Sequence, residues 1–200
     1  AITKRARDDF GSHTLGLDLR GLTEPHEQVD VHWGLSWYHD WIAASRDEQS
    51  DGSPPWTSSA LTAYPDGSSY DTIGAYAAAD WRFWQNESGH WLEAGAGYRL
   101  HSMAGSAPAR ADIEAADWSA LGHVFDGFVK YGFTDLATVA LSYNQGFRAP
   151  NLNEAVALGD DGKVFTVPNP ELEPERSDAI ELLGRIQLGP FSASAAGYFM

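Results

Sequence analysis

The chain contains no cysteine. Disulfide frameworks, thiolate metal sites and a cysteine nucleophile are therefore excluded. It also lacks the unbroken apolar run of about 20 residues that a membrane-crossing helix requires. Basic residues are scarce, with 13 Lys and Arg against 28 Asp and Glu, a net charge of −15. Phosphate binding needs clustered cations, so a nucleic-acid partner is not expected. The acidic surplus reads as a solvated surface. Catalytic constellations are missing too. Carboxylates are plentiful, but none stands at a meaningful spacing from a histidine or nucleophile. Gly95-Ala96-Gly97 lies within a strand pattern rather than opening a helix, so it is no phosphate loop. The expectation is a protein that is not an enzyme and carries no cofactor.

What is present is period-two alternation. In 91–101, Leu92, Ala94, Ala96, Tyr98 and Leu100 share one parity, and Glu93, Gly95, Gly97, Arg99 and His101 the other. Around 14–20, Leu15, Leu17 and Leu19 alternate with Thr14, Gly16, Asp18 and Arg20. Similar runs occur at 72–84 and 137–147. A helix would need apolar residues three and four apart, and these segments do not offer that face. The strands read as 13–22, 28–43, 70–85, 90–103, 118–132, 136–147, 177–188 and 191–200. Segment 118–132 is the least regular, because Asp126 and Lys130 share a parity with Val124 and Phe128.

The connections alternate in length. Those at 23–27, 86–89, 133–135 and 189–190 are short. Those at 44–69, 104–117 and 148–176 are long and rich in Asp, Glu, Ser, Pro and Gly, as in the stretch from Asp47 to Pro55. Short turns on one side and long loops on the other is the pattern of an outer-membrane barrel, whose alternating strands keep mean hydropathy low. Trp81, Phe83, Tyr131 and Phe133 fall near the short-turn ends at apolar parity. Trp37, Tyr98, Tyr143 and Phe147 fall near the long-loop ends, and two such aromatic girdles suit the two membrane interfaces.

Two phrases bracket the loop 148–176. One is Gly146-Phe147-Arg148-Ala149-Pro150-Asn151-Leu152-Asn153-Glu154. The other is Pro168-Asn169-Pro170-Glu171-Leu172-Glu173-Pro174-Glu175. If alternation holds to the ends of the flanking strands, Arg148 and Glu175 both point inward at the outer rim. An ion pair there would fix the loop's two ends, by about 1 kcal/mol if partly solvated. The prolines end ladder pairing and stiffen the loop. Asn151 and Asn169, beside prolines, suit side-chain-to-backbone turns.

These paired phrases resemble the signature in the barrel domain of TonB-dependent outer-membrane receptors. The residues carrying the resemblance are Phe147, Arg148, Ala149, Pro150, Asn151, Leu152, Asn153 and Glu154, with Asn169, Pro170, Leu172, Pro174 and Glu175. Tyr64-Pro65-Asp66-Gly67, just before a strand, also looks like the loop ends of this family.

The resemblance implies an antiparallel transmembrane β-barrel of about 22 strands plugged by an N-terminal domain. Eight of those strands would lie here, and the signature residues would act structurally, as loop anchors. It also implies location in the outer membrane of a Gram-negative bacterium and contact with its lipid. The function implied is import of a scarce small-molecule nutrient, such as an iron-siderophore, energised by the TonB complex. Residues 1–200 then read as one stretch of such a barrel, with plug, TonB-contact box and closing strands outside it, because the chain starts at Ala1 and stops within the apolar Gly197–Met200. Haem receptors of the family carry a histidine between the two phrases, and residues 148–175 contain none.

The seven histidines, His13, His26, His32, His39, His90, His101 and His123, read as solvated or structural. His32 and His39 have opposite strand parities and make poor joint ligands. Asp160 with Asp161, and Asp47 with Glu48 and Asp51, lack calcium-loop spacing and read as solvated charge. Two competing readings remain: a passive barrel or porin, and a soluble β-sandwich binding module.

Overall fold

A computed structural model describes residues 4–50, 55–111, 113–160 and 165–200 of the chain. The strands are β1 (Lys4–His26), β2 (Val29–Ser50), β3 (Thr57–Ser58), β4 (Ser69–Gln85), β5 (His90–Ala107), β6 (Ala116–Phe133) and β7 (Ala137–Arg148). A short helix α1 (Leu152–Val156) follows, then β8 (Gly159–Asp160), β9 (Phe165–Thr166), β10 (Glu175–Leu188) and β11 (Phe191–Phe199). The eight long strands form one antiparallel meander, in the order β1-β2-β4-β5-β6-β7-β10-β11. Strand β3 adds a short extension beside β2, and β8 pairs only with β9. Within the chain the sheet does not close, so β1 and β11 are its two edges.

The register places the two parities on opposite faces, because cross-strand partners in an antiparallel ladder share a face. Leu17 faces Trp37, Trp37 faces Ile73, Leu141 faces Leu182 and Ile186 faces Ala193 on the apolar side. Asp18 faces Ser36, Tyr76 faces Arg99, and Thr138 faces Arg185 on the polar side. No second layer covers the apolar side among the described residues. Leu17 is 66% exposed, Ile73 57% and Leu121 61%. The buried apolar residues are few: Ile42, Ala107, Ala149, Ala155, Val156 and Ala157. A soluble sandwich would bury this face against a second sheet. A single layer with a continuous apolar side is instead what a lipid-facing wall requires.

Five polar-face pairs set a glycine opposite an aromatic ring: Gly16 with Tyr38, Gly34 with Tyr76, Gly95 with Phe128, Gly105 with Trp118 and Gly132 with Trp91. A Cβ at these glycines would lie between 2.1 and 2.4 Å from the ring. Each ring therefore lies flat across the facing strand, and only glycine leaves it that space.

Beside shorter extensions such as β5 to Ala107, three differences from the sequence reading matter. Strands β1 and β2 run on to Lys4 and Ser50, so the first long loop begins well beyond residue 44. Polar residues that read as loop are held in the ladder by cross-strand charge pairs, Lys4 with Glu48 at 2.8 Å and Asp8 with Arg46 at 3.3 Å. The turn expected at 23–27 narrows to Glu27 and Gln28, and a register shift between Thr23 and His26 absorbs the irregular residues. The third difference is at Phe147, expected on the apolar side. Its ring lies 2.3 Å from where a Cβ of Gly122 would be, and Gly122 pairs with His101 of the polar side. The β6–β7 ladder ends at Asp126 with Asn144, and the Gln145 side chain accepts the Phe125 N–H at 3.0 Å instead. Strict alternation therefore fails over the last turn of β7.

Candidate functional site at the loop-bearing mouth

The short connections at 27–28, 86–89, 134–136 and 189–190 all lie at one end of the sheet, and the long loops at the other. The long loops are not independent. Arg110, the one basic residue of its loop, is 6% exposed. Its Nη1 donates to the carbonyl of Thr62 in the first long loop, and its Nη2 to the carbonyl of Val156 in the third at 2.9 Å. One guanidinium thus joins all three. Around it, Ala107, Ala155 and Val156 form a small apolar cluster completed by Tyr64, Trp118 and Leu152. The Leu158 N–H donates to Ala63 O at 2.9 Å, and the Tyr64 hydroxyl donates to Asn153 Oδ1.

The turn Tyr64-Pro65-Asp66-Gly67 folds back onto β2. Gly67 adopts φ +79° and donates its N–H to Ile42 O at 2.9 Å, while Asp66 Oδ1 accepts the N–H of Ala44. A side chain at residue 67 would strain this conformation. Ser68, fully buried, donates to Pro65 O at 2.8 Å and closes the turn.

The signature residues meet in one assembly. Arg148 and Glu175 are direct ladder partners, and the guanidinium grips the carboxylate with two bonds, of 2.7 and 3.0 Å. The same guanidinium donates to both oxygens of Glu154, at 2.8 and 3.0 Å. Glu154 in turn accepts the Asn151 N–H, and Asn151 Oδ1 accepts the Glu154 N–H, both at 3.0 Å. This is a capping box, and it starts helix α1. Hydrogen bonds from Arg148 hold the Glu154 and Glu175 carboxyls below the ordinary range, and the two glutamates raise the guanidinium's pKa in return.

Ala149 is buried, and Pro150 O accepts the Tyr70 hydroxyl of β4 at 3.2 Å. Leu152 packs against the Ala107–Ala155–Val156 cluster, as Trp118 does. Asn169 donates its N–H to Ala155 O at 2.9 Å, and its side chain accepts the Glu171 N–H at 3.2 Å. Pro170 and Pro174 are half-buried, whereas Leu172 is exposed. The Phe147 ring lies under the Arg176 guanidinium at 5.6 Å.

Helix α1 and Arg110 were not anticipated. The Asn-x-x-Glu spacing at 151 and 154 carried the helix signal. Arg110 carried none beyond being the sole cation of its loop.

Below the mouth, Asp18, Arg20, Ser36, Tyr38, Arg99 and His101 border a cleft of about 240 Å³ on the polar face. The Tyr38 hydroxyl donates to Asp18, and Arg99 lies 5.4 Å from the Tyr76 ring. At the far end of the sheet, Trp81 and Phe83 meet at 5.4 Å and Tyr131 and Phe133 at 4.5 Å. Asp47 and Glu48 lie on β2, with Glu48 held by Lys4 and Arg46. Asp51 and Asp161 lie outside the described residues. His32 neighbours Asp80 on the polar face at 3.9 Å, and His39 meets Asp71 on the apolar face at 2.9 Å. No group of three or more His, Cys, Asp and Glu suited to a metal occurs among the described residues.

A model of the family described as TonB dependent receptor-like, beta-barrel, matches residues 3–200. The chain belongs to this family. The family is one of the outer membrane of Gram-negative bacteria, and its members are transporters and receptors rather than enzymes. Among solved structures, the copper transporter OprC is similar in fold, with a TM-score of 0.65 and 14% identity. The alignment covers 96% of this chain and 30% of the transporter's chain. No curated protein sequence matches. The sheet described above is thus a section of a receptor barrel, with the long loops at its mouth.

Proposed function

We propose that this chain forms part of the wall and outer loops of an active transporter in the outer membrane, which imports a scarce small-molecule nutrient and is energised by the TonB complex. The observation that carries the reading is the Arg148–Glu154–Glu175 assembly, which ties the family's two phrases together at the mouth. The three long loops, clasped by Arg110, form the capture surface on this side. The signature residues act as anchors for those loops. The exposed apolar face supports contact with membrane lipid. Residues 1–200 are one stretch of barrel wall, with the plug and the TonB-contact box elsewhere in the complete receptor. An iron-siderophore is the cargo expected from the family, and copper is the cargo named for the structural neighbour.

The test is uptake by cells carrying or lacking the complete gene, in strains with and without TonB. Active transport requires that growth on the limiting nutrient fail when either is removed. Uptake that persists without TonB would make the protein a passive barrel.

A further inference from the structure

Strand β5 brings two soft donors to the polar face directly beneath the mouth. His101 and Met103 share that face, two residues apart, with Cα atoms about 6.7 Å apart at the usual rise of a strand. Nδ1 of His101 is buried and has no hydrogen-bond partner among the described residues. A buried, unpaired imidazole nitrogen is costly and calls for an explanation. Its neighbours leave the ring room, because His101 stands between Gly74 on β4 and Gly122 on β6 in the ladder. A Cβ at Gly74 would approach Nδ1 to 3.5 Å, so a larger residue there would crowd the ring. The Tyr70 hydroxyl lies 3.3 Å from the Met103 sulfur and shares its single proton between that sulfur and the Pro150 carbonyl. Tyr70 also reaches Pro150 of the signature loop, so the thioether is tied to the mouth by one side chain.

The chemistry of the pair is selective. Thioether sulfur favours cuprous copper, and imidazole accepts copper readily, whereas hard ions require oxygen donors. The described wall offers no carboxylate-rich cluster that would hold a hard cation. Tyr70, Trp118 and Phe147 lie beside the pair, while Asp18, Arg20 and Arg99 line the cleft that His101 borders.

We propose that His101 Nδ1 and Met103 Sδ form part of the cargo site, and that the cargo is a cuprous ion. The inference rests on the uptake reading above and names its substrate. The pair supplies two ligands from the barrel wall. Further donors come from the part of the complete receptor that faces this wall.

The test uses the complete receptor in detergent, titrated anaerobically with Cu(I) in a competing-chelator buffer. M103L and H101Q are compared with the natural protein, and barrel melting temperatures are matched first. The expected result is one tightly held Cu(I), weakened at least tenfold by each substitution. Sulfur is expected among the metal's neighbours by X-ray absorption, and absent in M103L. Variants that bind as tightly as the natural protein, or a spectrum without sulfur, would overturn the site. No Cu(I) binding by the natural receptor would overturn the cargo as well. The TonB-dependence of uptake is read separately in cells, so the transport reading stands or falls on its own.

Discussion

Replacing Arg110 with methionine keeps most of the side-chain volume and removes the clasp between the three long loops. Arg110 donates one bond each to the Thr62 and Val156 carbonyls, and a bond to a charged group contributes about 1.5–3 kcal/mol. The two together would give about 3–6 kcal/mol. Against this stands the cost of a buried cation whose Nε finds no partner among the described residues, on the order of 1–3 kcal/mol, which the substitution relieves. The net loss is therefore roughly 2–3 kcal/mol, or about a 30- to 150-fold rise in the population of opened loops. The effect should be local. Strands β4 to β7 keep their own ladders, and neither bond reaches a strand interior. Amide hydrogen exchange in the complete receptor is the assay. Faster exchange is expected at 62–64, at Arg110 and Ile113, and at 155–158, with the barrel strands unchanged. Exchange that stays slow in all three loops would refute the clasp. Equal acceleration in loops and strands would show that Arg110 supports the barrel rather than the mouth.

Leu141 faces Val129 and Leu182 on the apolar side, so Leu141→Arg should destabilise the barrel in a bilayer by about 2–4 kcal/mol. Ser142→Arg, on the opposite face, should cost far less. Urea unfolding in lipid vesicles separates the two, and equal effects would contradict the assigned faces. The Arg148–Glu154–Glu175 assembly sits above the apolar segments and should be acid-labile. Its glutamates titrate lower in the folded state than in the unfolded chain. Their contribution is complete above the ordinary glutamate value and is lost as pH falls through the depressed folded values. A spin label at Leu172 should remain ordered at pH 6 and become mobile only once the pH falls below the depressed folded values of the two glutamates. Mobility independent of pH would remove the assembly from the loop's support.

The period-two pattern by itself determined the strands. Leu15 to Leu19 and Leu92 to Leu100 can satisfy one apolar face only as strands, so eight strands, their order of turns and the side most of their residues face were legible before any coordinates, Phe147 being an exception. The paired phrases around 148 and 175 were legible for the same reason, because their spacing is local to one hairpin. What the sequence could not determine were contacts between segments far apart in the chain. Arg110 reads as one cation in an acidic loop until the fold places it between carbonyls 48 and 46 residues away. Strands β1 and β2 continue into polar sequence because Lys4 meets Glu48 and Asp8 meets Arg46, partners that only the register brings together. His101 reads as a solvated or structural histidine of the polar parity, and nothing in the sequence singles out Met103. Their shared place beneath the mouth depends on the flanking glycines of two other strands and on Tyr70 reaching across. Local alternation fixes which way a side chain points, but cooperation between side chains is decided by distance in space, and that belongs to the tertiary structure.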